Sequence, residues 1–276
     1  MVVGRLLRAA RAVLDAPFAQ PRSRETLFSF ASPAALDAFY AYSDEQDGGR
    51  SAAVWRHEAR DGGIGVFCGH LDTGFDAALE ADARATPASF AGARMVRSGY
   101  ASVRSMEPAP FGELDEFDGV ALVVRSDSRP YVVNIKTARF MQDTQEVFQA
   151  LVPPPPPSPP AQDAPHATAA AARPRRLQPG EMGAWREVRI PWDAFRLTWR
   201  GFVQPQDIKL DPRRIESVGI ALYAADPAHA DIGYAAMREG PFTLELRAIE
   251  AYADIPGSSA DRGMRVTQSI LRAPAG

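Results

Sequence analysis

Cysteine is almost absent from this sequence: Cys68 is the single one in 276 residues. One thiol excludes an intrachain disulfide framework and any zinc site built on several cysteines. Histidine is nearly as scarce, and His57, His70, His166 and His229 are scattered with no metal-ligand spacing between any pair. No apolar run approaches the roughly 20 residues a helix needs to cross a bilayer. An excess of one charge is missing too, since the net charge is −3 and the pI about 5.9. That balance offers no bulk attraction to nucleic acid. There is no GxSxG elbow, P-loop or HExxH helix, and no nucleophile stands beside a suitable base. Gly63, Gly65 and Gly69 have GxGxxxG spacing with no amphipathic helix after them, so they read as a turn entering a strand. Asp44 and Asp47 lie beside the Gly48-Gly49 turn, but this falls far short of a calcium loop. The expectation is a non-enzyme with no catalytic residue, cofactor or metal.

What is present begins with an Arg-rich N-terminus. Arg5, Arg8 and Arg11 share one side of a helical projection, and Val3, Leu7, Ala10 and Leu14 share the other. No acidic residue precedes Asp15. This is the pattern of an organelle transit segment, and residues 1–24 read as that segment and a connector.

Residues 25–254 read as a single β-sandwich domain. Strands are expected at 26–30, 51–57, 64–71, 90–96, 100–106, 119–125, 131–137, 217–224 and 241–253, from apolar alternation with a two-residue period. Ser32-Pro33 starts one short helix, for which Leu36, Phe39 and Tyr40 supply an apolar face. The Asp127-Ser128-Arg129-Pro130 turn predicts a hairpin between the strands on either side of it. A Pro/Ala-rich insertion at 152–184, containing PPPPPSPP, interrupts the domain as an extended loop. Residues 255–276 form a polar tail. Many strands, one short helix and no βαβ rhythm define an all-β fold.

The chain is organised around WREVRIPWDAFRLTWRG at residues 185–201. Val188 and Ile190 alternate with Glu187 and Arg189, which predicts a half-buried strand, and Pro191 ends it because it has no N–H to donate. Trp192, Phe195, Leu197, Trp199 and Phe202 then crowd five large apolar groups into a short stretch. Trp199, Arg200 and Phe202, beyond the strand end, are the candidate partner-binding residues. Tryptophan and arginine combine large buried area with directed hydrogen bonds at binding hot spots.

Several pieces of the chain, in order, resemble the complex I intermediate-associated protein family, assembly factors of mitochondrial NADH:ubiquinone oxidoreductase. They are Ser43-Asp44 with Gly48-Gly49 and Ser51; VFCG at 66–69; SGYASVRS at 98–105; and FDGVALVVRSDSRPYVVNIKT at 117–137. WREVRIPWDAFRLTWRG, IESVGIAL at 215–222 and GPFTLELRAIEAY at 240–252 complete them. The resemblance implies a jelly-roll sandwich like the galactose-binding domains, and no catalytic residues. It also implies a factor on the matrix side of the inner mitochondrial membrane that holds a membrane-arm intermediate of complex I. Its partners would be complex I subunits and other assembly factors, with membrane association only through them. The Pro-rich insertion and a long 225–239 segment depart from the family pattern. Two other readings stay open: a permanent accessory subunit of complex I, and a carbohydrate-binding jelly roll using Tyr100, Tyr131 and Trp55.

Overall fold

The computed structural model of the chain describes residues 23–74, 99–138, 146–156, 181–199, 202–224 and 238–254. The transit-like segment, the expected strand at 90–96, the middle of the insertion, Arg200 and the polar tail lie outside the described residues. Among those described, thirteen strands form two antiparallel sheets in a jelly-roll sandwich.

The six-stranded sheet contains β1 (Arg24–Ser29), β3 (Ala52–Glu58), β4 (Ile64–Leu71), β6 (Gly119–Ser126), β9 (Arg186–Pro191) and β13 (Gly240–Tyr252). β13 is its axis. Its first half pairs with β4 and its second half with β1 along one edge, and β6 pairs along the other. The seven-stranded sheet contains β2 (Phe39–Ser43), β5 (Tyr100–Ser105), β7 (Tyr131–Thr137), β8 (Glu146–Val152), β10 (Arg196–Trp199), β11 (Phe202–Val203) and β12 (Ile215–Tyr223). Its order is β11-β10-β8-β7-β12-β5-β2.

The core lies between the sheets and follows the alternation read from the sequence. Val120, Leu122 and Val124 of β6, Tyr131, Val133 and Ile135 of β7, and Phe242, Leu244 and Leu246 of β13 are all buried. Val188 and Ile190 face this core at 6 % and 4 % exposure, as the strand reading required. Trp55 packs inward against Phe30 and Phe39, with ring centroids 5.2 and 5.8 Å away. The position facing its ring is Gly65, where an added Cβ would stand 2.1 Å from the indole. A side chain there would evict the tryptophan.

Two local expectations are overturned. Ser32 does cap a 3-10 turn, Pro33–Ala38, accepting from the Ala34 N–H. That turn stops before Phe39, and Phe39 and Tyr40 belong to β2. Phe39 is β-extended (φ −132°, ψ 155°), and its inward ring meets Phe28 edge-on at 4.7 Å. Core aromatic packing on a strand outweighs the three- and four-residue spacing that suggested a helix face. The Asp127–Pro130 turn is likewise no hairpin, because β6 and β7 lie in different sheets. Buried Asp127 accepts from the backbone N–H groups of Arg129 and Thr243 at 2.9 Å each and from the Tyr131 hydroxyl at 3.2 Å. Those bonds fix a corner that carries the chain across the sandwich.

The stretch at 185–199 makes the same crossing at another point. After β9, Trp192–Ala194 form a single 3-10 turn, and β10 then joins the opposite sheet. Trp192 Nε1 donates to the Phe117 carbonyl at 2.7 Å, and Phe195 is 1 % exposed. The aromatic crowding therefore fastens one sheet to the other. Beside the insertion, Val152 is the last residue of β8 and 1 % exposed. The insertion's two roots meet there: Gly183 N–H donates to Ser126 O at 2.9 Å, and Arg186 donates to the Pro153 carbonyl.

Candidate functional site

In an antiparallel sheet, directly opposed residues point to the same face, so the register assigns every outward side chain. On the seven-stranded sheet one outward row runs Leu151, Val132, Ala221, Ser102, Tyr42 across five strands. The next row runs Arg196, Gln149, Asn134, Gly219, Arg104, Tyr40 across six. Tyr223 and Tyr100 oppose each other above the first row.

Four tyrosines thus gather on one side of this face. Tyr40 and Tyr42 stack with centroids 5.7 Å apart and 28° between planes, and Tyr42 meets Tyr100 edge-on at 6.2 Å. Ala221, Ser102 and Gly219 make a low floor in the middle of the two rows. Beside it, Gln149 Nε2 donates to Asn134 Oδ1 at 2.9 Å and to the Tyr223 hydroxyl at 3.2 Å. Leu151 and Tyr40 mark the two sides, at 41 % and 38 % exposure. Between them Val132, Ala221, Ser102, Asn134 and Gln149 are buried, at 6 % exposure or less, so only the rings and Leu151 at the margins of the two rows offer contact area, and tyrosine rings supply such area at little entropic cost.

Asp44 holds the tyrosine end in place. It is 1 % exposed, and it accepts from Ser51 N–H at 2.9 Å, Ser51 Oγ at 3.2 Å, Tyr100 N–H at 3.4 Å and Gly99 N–H. One carboxylate therefore ties the end of β2 to the starts of β3 and β5. It sits in the Asp44–Asp47 3-10 turn, which Gly48 closes in the left-handed region at φ 85°. Both carboxylate oxygens serve the backbone. Among the described residues, no group of three His, Cys, Asp or Glu side chains is placed to hold a metal ion.

Of the residues suggested for sugar binding, only Tyr100 lies on this face. Tyr131 is 0 % exposed in the core, where burial pushes its hydroxyl well above the usual phenol range. Trp55 packs inward as described. Both are in phase with core residues, which removes them from any surface site. The sequence reading missed Tyr40, Tyr42 and Tyr223.

The expected partner residues fall at the far edge of the same sheet. Trp199 ends β10, opposite Glu146 on one side and Phe202 on the other, and is 38 % exposed. Arg200 lies outside the described residues, and of Phe202 only its pairing in β11 is described. The structure therefore separates this edge from the tyrosines by the width of the sheet.

The outward surface of the six-stranded sheet is built differently. Glu245, 3 % exposed, takes Arg60 and Arg125 at 2.5 Å each, and Asp61 meets Arg125 at 3.3 Å. Glu58 binds Arg60 at 2.5 Å and Arg56 at 3.0 Å. Arg24 bridges Glu187 and Glu250 at 2.8 and 2.6 Å, and Arg189 joins Glu187 to Asp254. Cys68 is half-buried there and accepts from Arg56 at 3.3 Å. No described helix is long and apolar enough to cross a membrane.

The family model described as Complex I intermediate-associated protein 30 (CIA30) matches residues 28–165 and 166–246. Among solved structures, the chain is similar to a family 11 carbohydrate-binding module from Clostridium thermocellum in complex with a β-1,3-1,4-mixed-linked tetrasaccharide. The identity is 14 % and the TM-score 0.46, over 84 % of this chain and 96 % of that one. It is also similar to the family 11 module of the cellulosomal cellulase Lic26A-Cel5E of the same organism, at 13 % identity and a TM-score of 0.46 over 83 % and 95 % of the two chains.

Proposed function

This chain belongs to the complex I intermediate-associated protein 30 family, and from that premise we propose that it is a non-catalytic binding protein holding a membrane-arm intermediate of mitochondrial complex I. It acts from the matrix side of the inner membrane. The observation that carries this reading is the extent of the family match. It runs from Phe28 in β1 to Leu246 in β13 and so takes in strands of both sheets. An assembly-factor family gives a role in complex I assembly, and the two-sheet sandwich gives a rigid body with broad faces for protein partners.

Partner contact on this reading includes the β10–β11 edge, where Trp199 offers a large ring outside the core. Complex I subunits and other assembly factors are the partners, and association with the membrane runs through them.

The test is affinity purification of the tagged full chain from mitochondria, with native gels probed for complex I subunits. Co-migration with subcomplexes smaller than mature complex I is the expected result. Co-migration with the mature complex alone would make the chain a retained accessory subunit. Absence of complex I subunits from the purified material would end the assembly reading.

A further inference from the structure

We propose that the cleft at the joined ends of β6, β9 and β13 takes an arginine side chain from a partner polypeptide, its guanidinium held by Asp118 and Asp193 against the Trp192 and Tyr252 rings. This rests on the reading of the chain as a protein-binding factor, and it names a site and the chemistry that fills it.

Three observations carry it. The first is an open cavity with braced walls. Tyr252, Gly119 and Pro191 oppose one another across the three strands. An added Cβ at Gly119 would stand 2.8 Å from the Tyr252 ring, so the glycine gives that ring its place. Around it, Asp118, Trp192, Asp193 and Asp254 line a cleft of about 570 Å³. The three aspartates are exposed and Trp192 is half-buried, so the cleft is open to a partner. Asp118 N–H donates to Tyr252 O at 2.8 Å, and Trp192 N–H donates to Asp118 O at 2.9 Å. Asp254 N–H donates to the Asp118 carboxylate at 2.7 Å. A site held rigid before binding loses less entropy when a ligand arrives.

The second is unpaired negative charge. Along the rest of this sheet's outward surface, Glu58, Glu187, Glu245 and Glu250 each hold an arginine. In the cleft only Asp254 does, with Arg189 at 3.2 Å, and Asp118 and Asp193 have no cationic partner among the described residues. Three carboxylates against one guanidinium leave the cleft negative, which complements a cationic partner. Among the described residues no three acidic side chains are grouped to hold a metal ion. A planar cation that takes a carboxylate along an edge and an aromatic ring on its face suits this wider setting better than an ion or a compact ammonium.

The third is Tyr252 itself. It is 5 % exposed and lines the cleft, yet its hydroxyl makes no hydrogen bond among the described residues. Burial pushes that hydroxyl up to about 12, and Asp254, Asp118 and Asp193 push it the same way, so it stays a neutral phenol with an unused acceptor. The ring already receives one guanidinium: Arg189 stands 5.4 Å over its centroid while paired with Asp254. Trp192, with Asp118 and Asp193, offers the same combination of ring and carboxylate to a second one.

The experiment titrates the full chain, isotopically labelled at its tryptophans, with the end-blocked peptide Gly-Ser-Arg-Ser-Gly and with versions carrying lysine or citrulline. The Trp192 indole resonance should move with the arginine peptide, less with lysine, and not with citrulline, which keeps the shape and loses the charge. Asp118→Asn with Asp193→Asn retains an acceptor for the Asp254 N–H and should weaken the arginine peptide by roughly tenfold. Tyr252→Phe should weaken it by roughly threefold, the scale of one hydrogen bond. The exposed Asp37→Asn, in the turn Pro33–Ala38, should leave it unchanged. Thermal unfolding of each variant separates loss of the cleft from loss of the fold. Equal response to arginine and citrulline, or none at Trp192, would overturn the proposal. So would calcium displacing the peptide, free arginine binding more tightly than the peptide, or a dimer that the double variant abolishes. Binding gained only after Arg262→Gln and Arg265→Gln would mean that the chain's own tail fills the cleft, and would also overturn it. Complex I intermediates co-purifying with a chain that binds no arginine peptide would sink this cleft and leave the assembly role standing.

Discussion

On the outward surface of the six-stranded sheet, Arg24, Arg56, Arg60, Arg125 and Arg189 each end on a carboxylate. On the seven-stranded sheet, Arg196 ends on backbone carbonyls, and Arg104 and Lys136 share the single Glu107. Guanidinium groups already satisfied by neighbours hold strands together and have little left to offer a ligand. Those with half a partner keep their affinity for one. The difference shows that the first surface is stitched together by ion pairs, whereas the second is held chiefly by burial and amide and backbone hydrogen bonds.

The largest expected effect is on the buried carboxylate at the tyrosine end of the second surface. Asp44→Ala strips the acceptor from four donors, three of them buried, so unfolding free energy should fall by about 3–5 kcal/mol, the scale for breaking a buried, hydrogen-bonded network. Urea denaturation measures it. A loss under 1 kcal/mol would mean that Asp44 does not pin the tyrosine end.

Glu245→Ala breaks the centre of the opposite surface. Its carboxylate is almost fully buried, but Arg60 and Arg125 are 42 % and 23 % exposed and can rehydrate. The cost should therefore fall below the buried-pair range, at about 2–3 kcal/mol. Partner association should be unchanged. A binding defect in a folded Glu245→Ala protein would show that the ion-paired surface also meets the partner.

Trp199→Ala with Arg200→Ala sharpens the comparison within one sheet. Partner association should weaken by about 2 kcal/mol, and melting temperature should hardly move. A drop matching the roughly 3–5 kcal/mol of a truncated core tryptophan would return Trp199 to the core.

Replacing residues 157–180 by a short Gly/Ser loop, with the roots at Pro153 and Gly183 kept, should change stability by less than about 1 kcal/mol, because closure entropy grows slowly with loop length. Loss of cooperative unfolding would show that the insertion joins two domains.

The smallest effect is acid dependence. Hydrogen bonds from Arg60 and Arg56 hold the Glu58 carboxyl below its ordinary value of 4.5, and Arg24 and Arg189 do the same for Glu187. Their contribution is complete above pH 4.5 and fades as the pH falls through the lower folded values. Burial raises Asp127 above its ordinary 3.8, so its contribution has the opposite sign and grows on acidification. A net loss of stability below pH 4.5 is expected, smaller in high salt because Glu58 and Glu187 are partly exposed. Stability that rises on acidification would show that the buried corner outweighs the surface pairs.

Alternation made most of the sandwich legible. β4, β6, β7, β9, β12 and β13 stand where their two-residue period placed them, because one face of each meets a large core. It could not tell which sheet a strand joins, and so the Asp127–Pro130 corner looked like a hairpin. β8 was missed because EVFQALV runs straight into the proline tract, and β10 because four residues are too few for a period. The tyrosine face was half visible. Tyr131 is in phase with Val133 and Ile135, whereas Tyr100 is in phase with Ser102 and Arg104, and that contrast separates a core ring from a surface ring. Nothing in the local sequence of Tyr40, Tyr42 or Tyr223 announces that three distant strands bring them together.

The position of β13 also governs when this protein can exist. The axis of the six-stranded sheet comes last among the described strands, and β1, β4 and β6 all wait for it. Arg24 finds its register opposite Tyr252 only after the whole domain is available. As the chain emerges from a ribosome, the six-stranded sheet stays open until β13 is available. Such long-range closure is slow and leaves apolar strands uncovered meanwhile. A fold closed this late exposes its strands to misassembly for as long as its final partner strand is missing.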